Sequence, residues 1–222
     1  MASGAKPAVQ DRSKGTRDRL LAAMDALLRE KPFEALSVGE IAARAGVSPA
    51  TIYQRFSNKD AAAAILIELY MRAAEAWSRS EEGRFDVAAA ATLHEAFVAL
   101  GLTAWRQVEA LGHVMRPAYL LSRRRPDLLG ERWTALQGQA RAGFARLLAA
   151  FPEALGGRDP EAAAGMIAYF YNMMLLGRLL HADELAAAGR ASDAQAFAVE
   201  LADFACGYLT AAAQPDTGGA AR

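Results

Sequence analysis

A chain of 222 residues with one cysteine, three histidines and no run of about 18 apolar residues free of charge lacks the chemistry of several protein classes. Cys206 alone can close no internal disulfide and build no zinc site, so the fold must rest on its own core, and a reducing cytoplasm is the simplest compartment. As a lone cysteine on an apolar helix it is expected to pack. His94, His113 and His181 form no Glu-x-x-His pair, and there is neither a nucleophile elbow nor a phosphate-cradling glycine loop. A helical-bundle hydrolase or metal enzyme is thereby disfavoured, and no catalytic residue, metal ligand or cofactor is expected. The polar start MASGAKPAVQDRSKG has no apolar signal core, and no membrane segment is expected.

Net charge is also absent, which at first sight argues against a nucleic-acid partner, but the balance is uneven along the chain. Through Asp60 there are ten Lys and Arg against seven Asp and Glu, so this stretch carries +3 and the remainder −3. Hydrophobic residues make up 53% and charged residues 23%, a composition that buries a core and excludes a disordered or collagen-like chain.

What is present is overwhelmingly helical: alanine-rich runs with leucine, arginine and glutamate, few β-branched residues and no alternating strand pattern. The expected fold is all-α, about nine helices, with a three-helix helix-turn-helix head on a helical-bundle body. The periodicity places helices at 16–30, 38–45, 49–56, 59–80, 86–105, 108–122, 126–150, 160–185 and 192–212. Residues 1–15 read as a flexible basic arm, 16–66 as the head, 67–214 as the body and 215–222 as a disordered tail.

The most informative stretch is SVGEIAARAGVSPATIYQRFSNK, residues 37–59. Ser37 followed by Glu40 is a capping box that starts a helix at Val38. Gly46 stops it, because glycine accepts the positive φ a sharp turn needs, and Ser48-Pro49 starts the next helix with a capping hydroxyl and a proline whose missing N–H costs nothing there. Val38, Ile41, Ala42, Ala45, Val47, Ile52 and Phe56 fall where crossing helices meet. That leaves Ser48, Ala50, Thr51, Tyr53, Gln54 and Arg55 facing outward, a set of hydroxyl, amide and guanidinium donors suited to a DNA groove.

Residues Thr16 to Leu66 resemble the DNA-binding domain of the TetR family, including its AcrR-like members, through the LLAAMDALL helix, the small-residue IAARAGVS and the TIYQRFSNK segment. The resemblance implies that Ser37, Thr51, Tyr53 and Lys59 contact phosphates, that Thr51, Gln54 and Arg55 reach base edges, and that Arg17 and Arg44 add backbone contacts. Ala50 departs from the glycine often found at its position. Each side chain also has a plainer reading: Tyr53 as a packed surface aromatic, Lys59 as a solvated lysine, Arg44 as an i,i+4 partner of Glu40.

Past Leu66 the resemblance is one of general character only. The segments GMIAYFYNMMLLGRLLH and AFAVELADFACGYL are apolar around much of their circumference, more than packing within one body requires, and are expected to bury a second copy of the chain. The resemblance implies a four-helix bundle across a two-fold axis, with Met166, Phe170, Met173, Met174, Gly177, Phe197, Leu201, Phe204 and Tyr208 as interface candidates. For a small-molecule effector the central helices offer Trp77, Phe97, Trp105, His113, Met115, Tyr119, Trp133, Phe144 and Tyr169, any of which is equally readable as core. His113 with Arg116 is the best polar pair among them. A dimer would set two reading helices about 34–36 Å apart on a palindromic operator, and an effector preferring another spacing would release it. The family resemblance implies a cytoplasmic repressor. A DNA-binding protein without an inducer is the alternative, favoured by a densely packed body.

Overall fold

The computed structural model describes residues 5–54, 61–187 and 193–211, as backbone alone at 5–13 and at 186. Among them the chain forms α1 (Ala5–Glu30), α2 (Val38–Ala45), α3 (Pro49–Tyr53), α4 (Ala61–Arg79), α5 (Leu93–Arg124), α6 (Glu131–Ala149), α7 (Pro160–Leu180), α8 (Ala182–Ala187) and α9 (Ala194–Thr210), with short 3-10 turns between some of them. No described residue is in a strand. The all-α expectation holds.

Several boundaries differ from the sequence reading for local reasons. α1 starts at Ala5 rather than Thr16: Pro7 lies in its first turn, where a missing N–H is tolerated, and the single Gly15 is carried by good helix formers around it. The two helices expected at 86–105 and 108–122 are one, α5, since Arg106-Gln107 contains no breaker, and Pro117 sits inside it. The long helix expected to reach Leu185 ends at Leu180; His181 caps it by donating its N–H to the Gly177 carbonyl, and Asp183 and Glu184 favour the N-terminus of the new helix α8. α3 is described to Tyr53, capped by Gln54; Phe56 lies outside the described residues.

The chain divides into two compact units: one comprises the chain through Ser78 with Ala110–Trp133, the other Arg79–Glu109 and the chain from Thr134. In the first, Leu20, Met24, Ile41, Ala42, Ile52, Ile65, Leu66 and Val114 are fully or almost fully buried. Its surface carries an ionic cluster centred on the half-sheltered carboxylate of Glu68, which meets Arg17, Arg72 and Arg132. The second is built on Phe97, Trp105, Phe144, Leu148, Ile167, Phe197, Leu201 and Leu209. There α5 and α9 meet backbone to backbone, since a Cβ on Gly101 would stand 2.8 Å from the Ala198 Cα. By length and composition alone α7 could cross a membrane, but Ala163, Ala164, Ile167 and Leu175 on it are part of this unit's buried interior.

The turn before α7 is closed by Gly156, whose φ of +56° belongs to the left-handed region and whose Cβ would stand 2.6 Å from the Leu209 carbonyl oxygen. Gly157, at φ +79°, has open space in the same direction. Gly156→Ala should therefore cost about 3 kcal/mol, the sum of roughly 1–2 for a left-handed alanine and 1–3 for the clash with backbone, whereas Gly157→Ala loses only the first part. Urea unfolding of the two variants measures the difference; equal losses would contradict the close approach of this turn to α9.

Candidate nucleic-acid interface

The helix-turn-helix is assembled by short-range hydrogen bonds within the first unit. The Glu40 N–H donates to Ser37 Oγ at 3.2 Å while the Ser37 N–H donates to Glu40 Oε2 at 3.0 Å, completing the capping box that starts α2. Glu40 also pairs with Lys31, and these partners hold its carboxyl at about 2, far below the usual carboxylate range, with the Lys31 and Ser37 side chains as the main causes. The cap is thus charged at any physiological pH. Gly46 ends α2 at φ 63° and ψ 41°, and the Val47 N–H returns to the Ala42 carbonyl at 3.0 Å. Ser48 then caps α3, accepting the Thr51 N–H at 3.3 Å with its hydroxyl 2.9 Å from Thr51 Oγ1, and Pro49 occupies the first turn.

Burial separates the two faces of α3. Ile52 is 0% exposed and anchors the helix on its unit, while Ser48, Ala50, Tyr53 and Gln54 are exposed and Thr51 is half-buried. A short helix held by one apolar pin thus presents two hydroxyls, a phenol and an amide to solvent around a small Ala50. That surface can accept a duplex groove because nothing bulky stands between the helix backbone and an approaching base edge. Arg55 and Lys59 lie outside the described residues.

The remaining cations expected at the interface are matched by acids. Arg44 forks onto both carboxylate oxygens of Glu30 at 2.8–2.9 Å, a partner fourteen residues away rather than the adjacent-turn Glu40. The Glu30 carboxyl is lowered and the Arg44 guanidinium raised by that contact. Arg17 reaches Glu68 at 2.6 Å. Sequence reasoning passed over Arg19, exposed on α1, whose guanidinium meets only the Thr16 hydroxyl at 3.4 Å and no acid among the described residues. Spacing alone does not single it out, since Arg17 also has no carboxylate one turn away yet pairs with Glu68.

The aromatic and polar candidates for an effector are divided between the two units. Trp77, His113, Met115, Tyr119 and Trp133 belong to the first unit, and Phe97, Trp105, Phe144 and Tyr169 to the second. His113 bonds Asp25 of α1 at 2.9 Å rather than Arg116, and Trp133 packs on Tyr70 with ring centres 5.3 Å apart. Phe97, Trp105 and Phe144 are core side chains, and Tyr169, 58% exposed, lies instead on the outer face of α7 with Met166 and Met173. Of the expected interface residues, Met166, Met173 and Phe204 are 41–50% exposed, whereas Phe197 and Leu201 are 5% and 3% exposed and turn into their own unit's core. Phe170 bridges the two helices, 4.7 Å from Phe204 and 6.5 Å from Tyr208 by ring centres. Between α5, α7 and α9 a small apolar cavity of about 10 Å³ is lined by Phe97, Ile167, Phe170, Tyr171, Met174 and Leu201 among others. Among the described residues no three His, Cys, Asp or Glu side chains converge as a metal site.

Comparison with known proteins bears on the same segment. Residues 20–63 match the family of bacterial regulatory proteins, tetR family. Over 63 residues the chain is 44% identical to the HTH-type transcriptional regulator YdeS of Bacillus subtilis (strain 168), a match that covers 28% of this chain and only 30% of that protein's length. The fold extends further. A transcriptional regulator of Pseudomonas aeruginosa PAO1 superposes with a TM-score of 0.59 at 22% identity, over 88% of this chain and 90% of its own. A Rhodococcus regulator gives 0.59 at 20% identity over 87% and 95%, and the fatty acid degradation regulator FadR of Bacillus halodurans 0.54 at 18% over 86% and 97%. The capped, turn-linked pair α2 and α3 stands inside the matched segment, so the part of this chain that is similar to the tetR family of bacterial regulatory proteins is its helix-turn-helix.

Proposed function

We propose that this protein is a cytoplasmic transcriptional repressor that reads double-stranded DNA with residues 16–66 and answers to a small, largely apolar effector through residues 67–214. The observation that carries the DNA-binding part is α3, with Ile52 buried and Ser48, Ala50, Tyr53 and Gln54 exposed on a helix that two caps hold in place. Thr51, Gln54 and Arg55 read base edges; Ser37, Tyr53 and Lys59 hold phosphates. Arg19 adds a cation that meets no carboxylate among the described residues, whereas Arg17 and Arg44 must share their charge with Glu68 and Glu30.

Two copies pair through the outer face of α7 and α9, where Met166, Tyr169, Met173 and Phe204 leave more apolar side chain in water than a lone chain gains from. A symmetric pair reads a symmetric site. Selection of bound duplexes from a random library should therefore return an inverted repeat with half-sites about one helical turn apart. Recovery of no preferred sequence, or of a single unrepeated half-site, would contradict the proposal.

One observation favours the alternative of a DNA-binding protein without an inducer: the apolar cavity between α5, α7 and α9 has a volume of only about 10 Å³. That is room for one water molecule. The two readings part on whether any small molecule binds the second unit.

A further inference from the structure

Arg178 is the anomaly of the second unit. Its row on α7, Ile167, Tyr171, Met174 and Arg178, follows the i, i+4, i+7, i+11 spacing of one helix face, and the first three line the apolar cavity or its wall. A guanidinium therefore ends an inward-facing apolar row. It stacks on the ring of Trp105, whose other neighbour is Phe197 at 5.7 Å between ring centres. Its Nε is buried with no hydrogen-bond partner, and among the described residues Arg178 makes no ion pair.

The acid whose charge acts on it, Glu109, is engaged elsewhere. Glu109 accepts the indole N–H of Trp105 at 2.7 Å. Burial pushes the Arg178 guanidinium down from its ordinary range, and the opposing pull of Glu109 is the smaller effect. A guanidinium has five N–H donors and no way to shed its charge at neutral pH, and a sheltered donor without an acceptor is costly. In the same unit Arg158, which also has an unpartnered Nε, gives its Nη2 to the Ala211 carbonyl at 2.9 Å; among the described residues Arg178 has no such acceptor.

We infer that Arg178 is the anion-binding residue of the effector site, and that the effector is a small apolar acid whose carboxylate takes the guanidinium while its hydrocarbon body enters the cavity between α5, α7 and α9. This rests on reading the second unit as the effector domain. Met174 lies one turn before Arg178 on α7 and Leu201 one turn after Phe197 on α9, so the backbone positions that carry the guanidinium and its aromatic neighbour are about 6 Å along each helix from those that line the cavity. That fits a short hydrocarbon acid. The cavity holds only about 10 Å³, so the hydrocarbon body enters by displacing its wall, and Met174, unbranched and thioether-flexible, is the lining side chain most able to yield.

The test uses three molecules of one shape, 4-phenylbutanoate, 4-phenylbutan-1-ol and 4-phenylbutylamine, with the full-length protein labelled with 5-fluorotryptophan. The Trp105 fluorine resonance is assigned through Trp105→Phe. The acid should shift that resonance and bind at least ~10-fold more tightly than the alcohol or the amine, a ratio equivalent to about 1.4 kcal/mol. Arg178→Met should remove the preference, and Arg178→Lys should keep part of it, having the charge without the fork. Arg178→Met should also melt no lower than the parent chain, since an apolar side chain replaces an unpaired cation. Equal binding of the three molecules, no response at Trp105, a preference that survives Arg178→Met, or a marked loss of melting temperature in that variant would each overturn the inference. No DNA is present in these titrations, so their failure leaves the DNA-binding reading standing and is distinguishable from its failure.

Discussion

Phe204→Asp should leave the protein folded but monomeric, and should weaken its hold on a two-half-site duplex by at least ~100-fold. Phe204 is 50% exposed and contributes only part of its ring, against Phe170, to its own chain, so the fold loses little. In a symmetric pair the same residue is changed on both sides of the axis, and two carboxylates are placed in an apolar patch beside Met166, Tyr169 and Met173. Truncating a central aromatic anchor typically costs 2 kcal/mol or more, and burying a charge costs further. Once pairing is lost, the second head no longer binds as a tethered partner, and tethering is worth roughly 10²–10⁴ in affinity. Sedimentation equilibrium and thermal unfolding, run beside a DNA titration, separate the three effects. A variant that stays dimeric would move the pairing face away from α7 and α9.

The second large effect belongs to the reading helix. Gln54→Ala and Arg55→Ala should each cost about 1–3 kcal/mol on the preferred duplex and relax the preference at one base position. Tyr53→Ala should weaken binding to every sequence alike, since a phenol on a phosphate carries no base information. Lys59→Ala should do the same and in addition lower the slope of log affinity against log salt by about 1, because one fewer phosphate counterion is released. None of these changes should alter melting appreciably for the described pair, Tyr53 and Gln54, which are both exposed. Competition titrations with permuted duplexes check the pattern. Loss of affinity for Gln54→Ala that is uniform across sequences would remove it from the base edges.

The head was legible in the sequence because its signals are local. Ser37 with Glu40, Gly46, and Ser48 with Pro49 each act on backbone groups within four residues, so their spacing fixes where α2 starts and stops and where α3 begins. What lies beyond a few residues was not readable. Arg44 is equally compatible by spacing with Glu40 and by geometry with Glu30, and only the crossing of α1 and α2 selects the second. The same holds for the body. Tyr169 and Phe197 are aromatic residues on two equally apolar helices, yet one is 58% exposed and the other 5% exposed, because side-chain period cannot say which of two apolar faces meets a neighbour. Nothing in the local sequence marks Arg178; its surroundings come from Trp105 and Glu109, 73 and 69 residues earlier in the chain, which reach it only in the folded unit.

The most direct measurement is a salt-dependent binding titration of the purified protein against DNA flanking its own gene, beside a shuffled duplex of the same composition. The account predicts binding by a dimer at least ~10³-fold tighter to the native duplex, with both affinities falling linearly in log salt. Equal and weak binding to the two duplexes, across both flanks and at low salt, would contradict it.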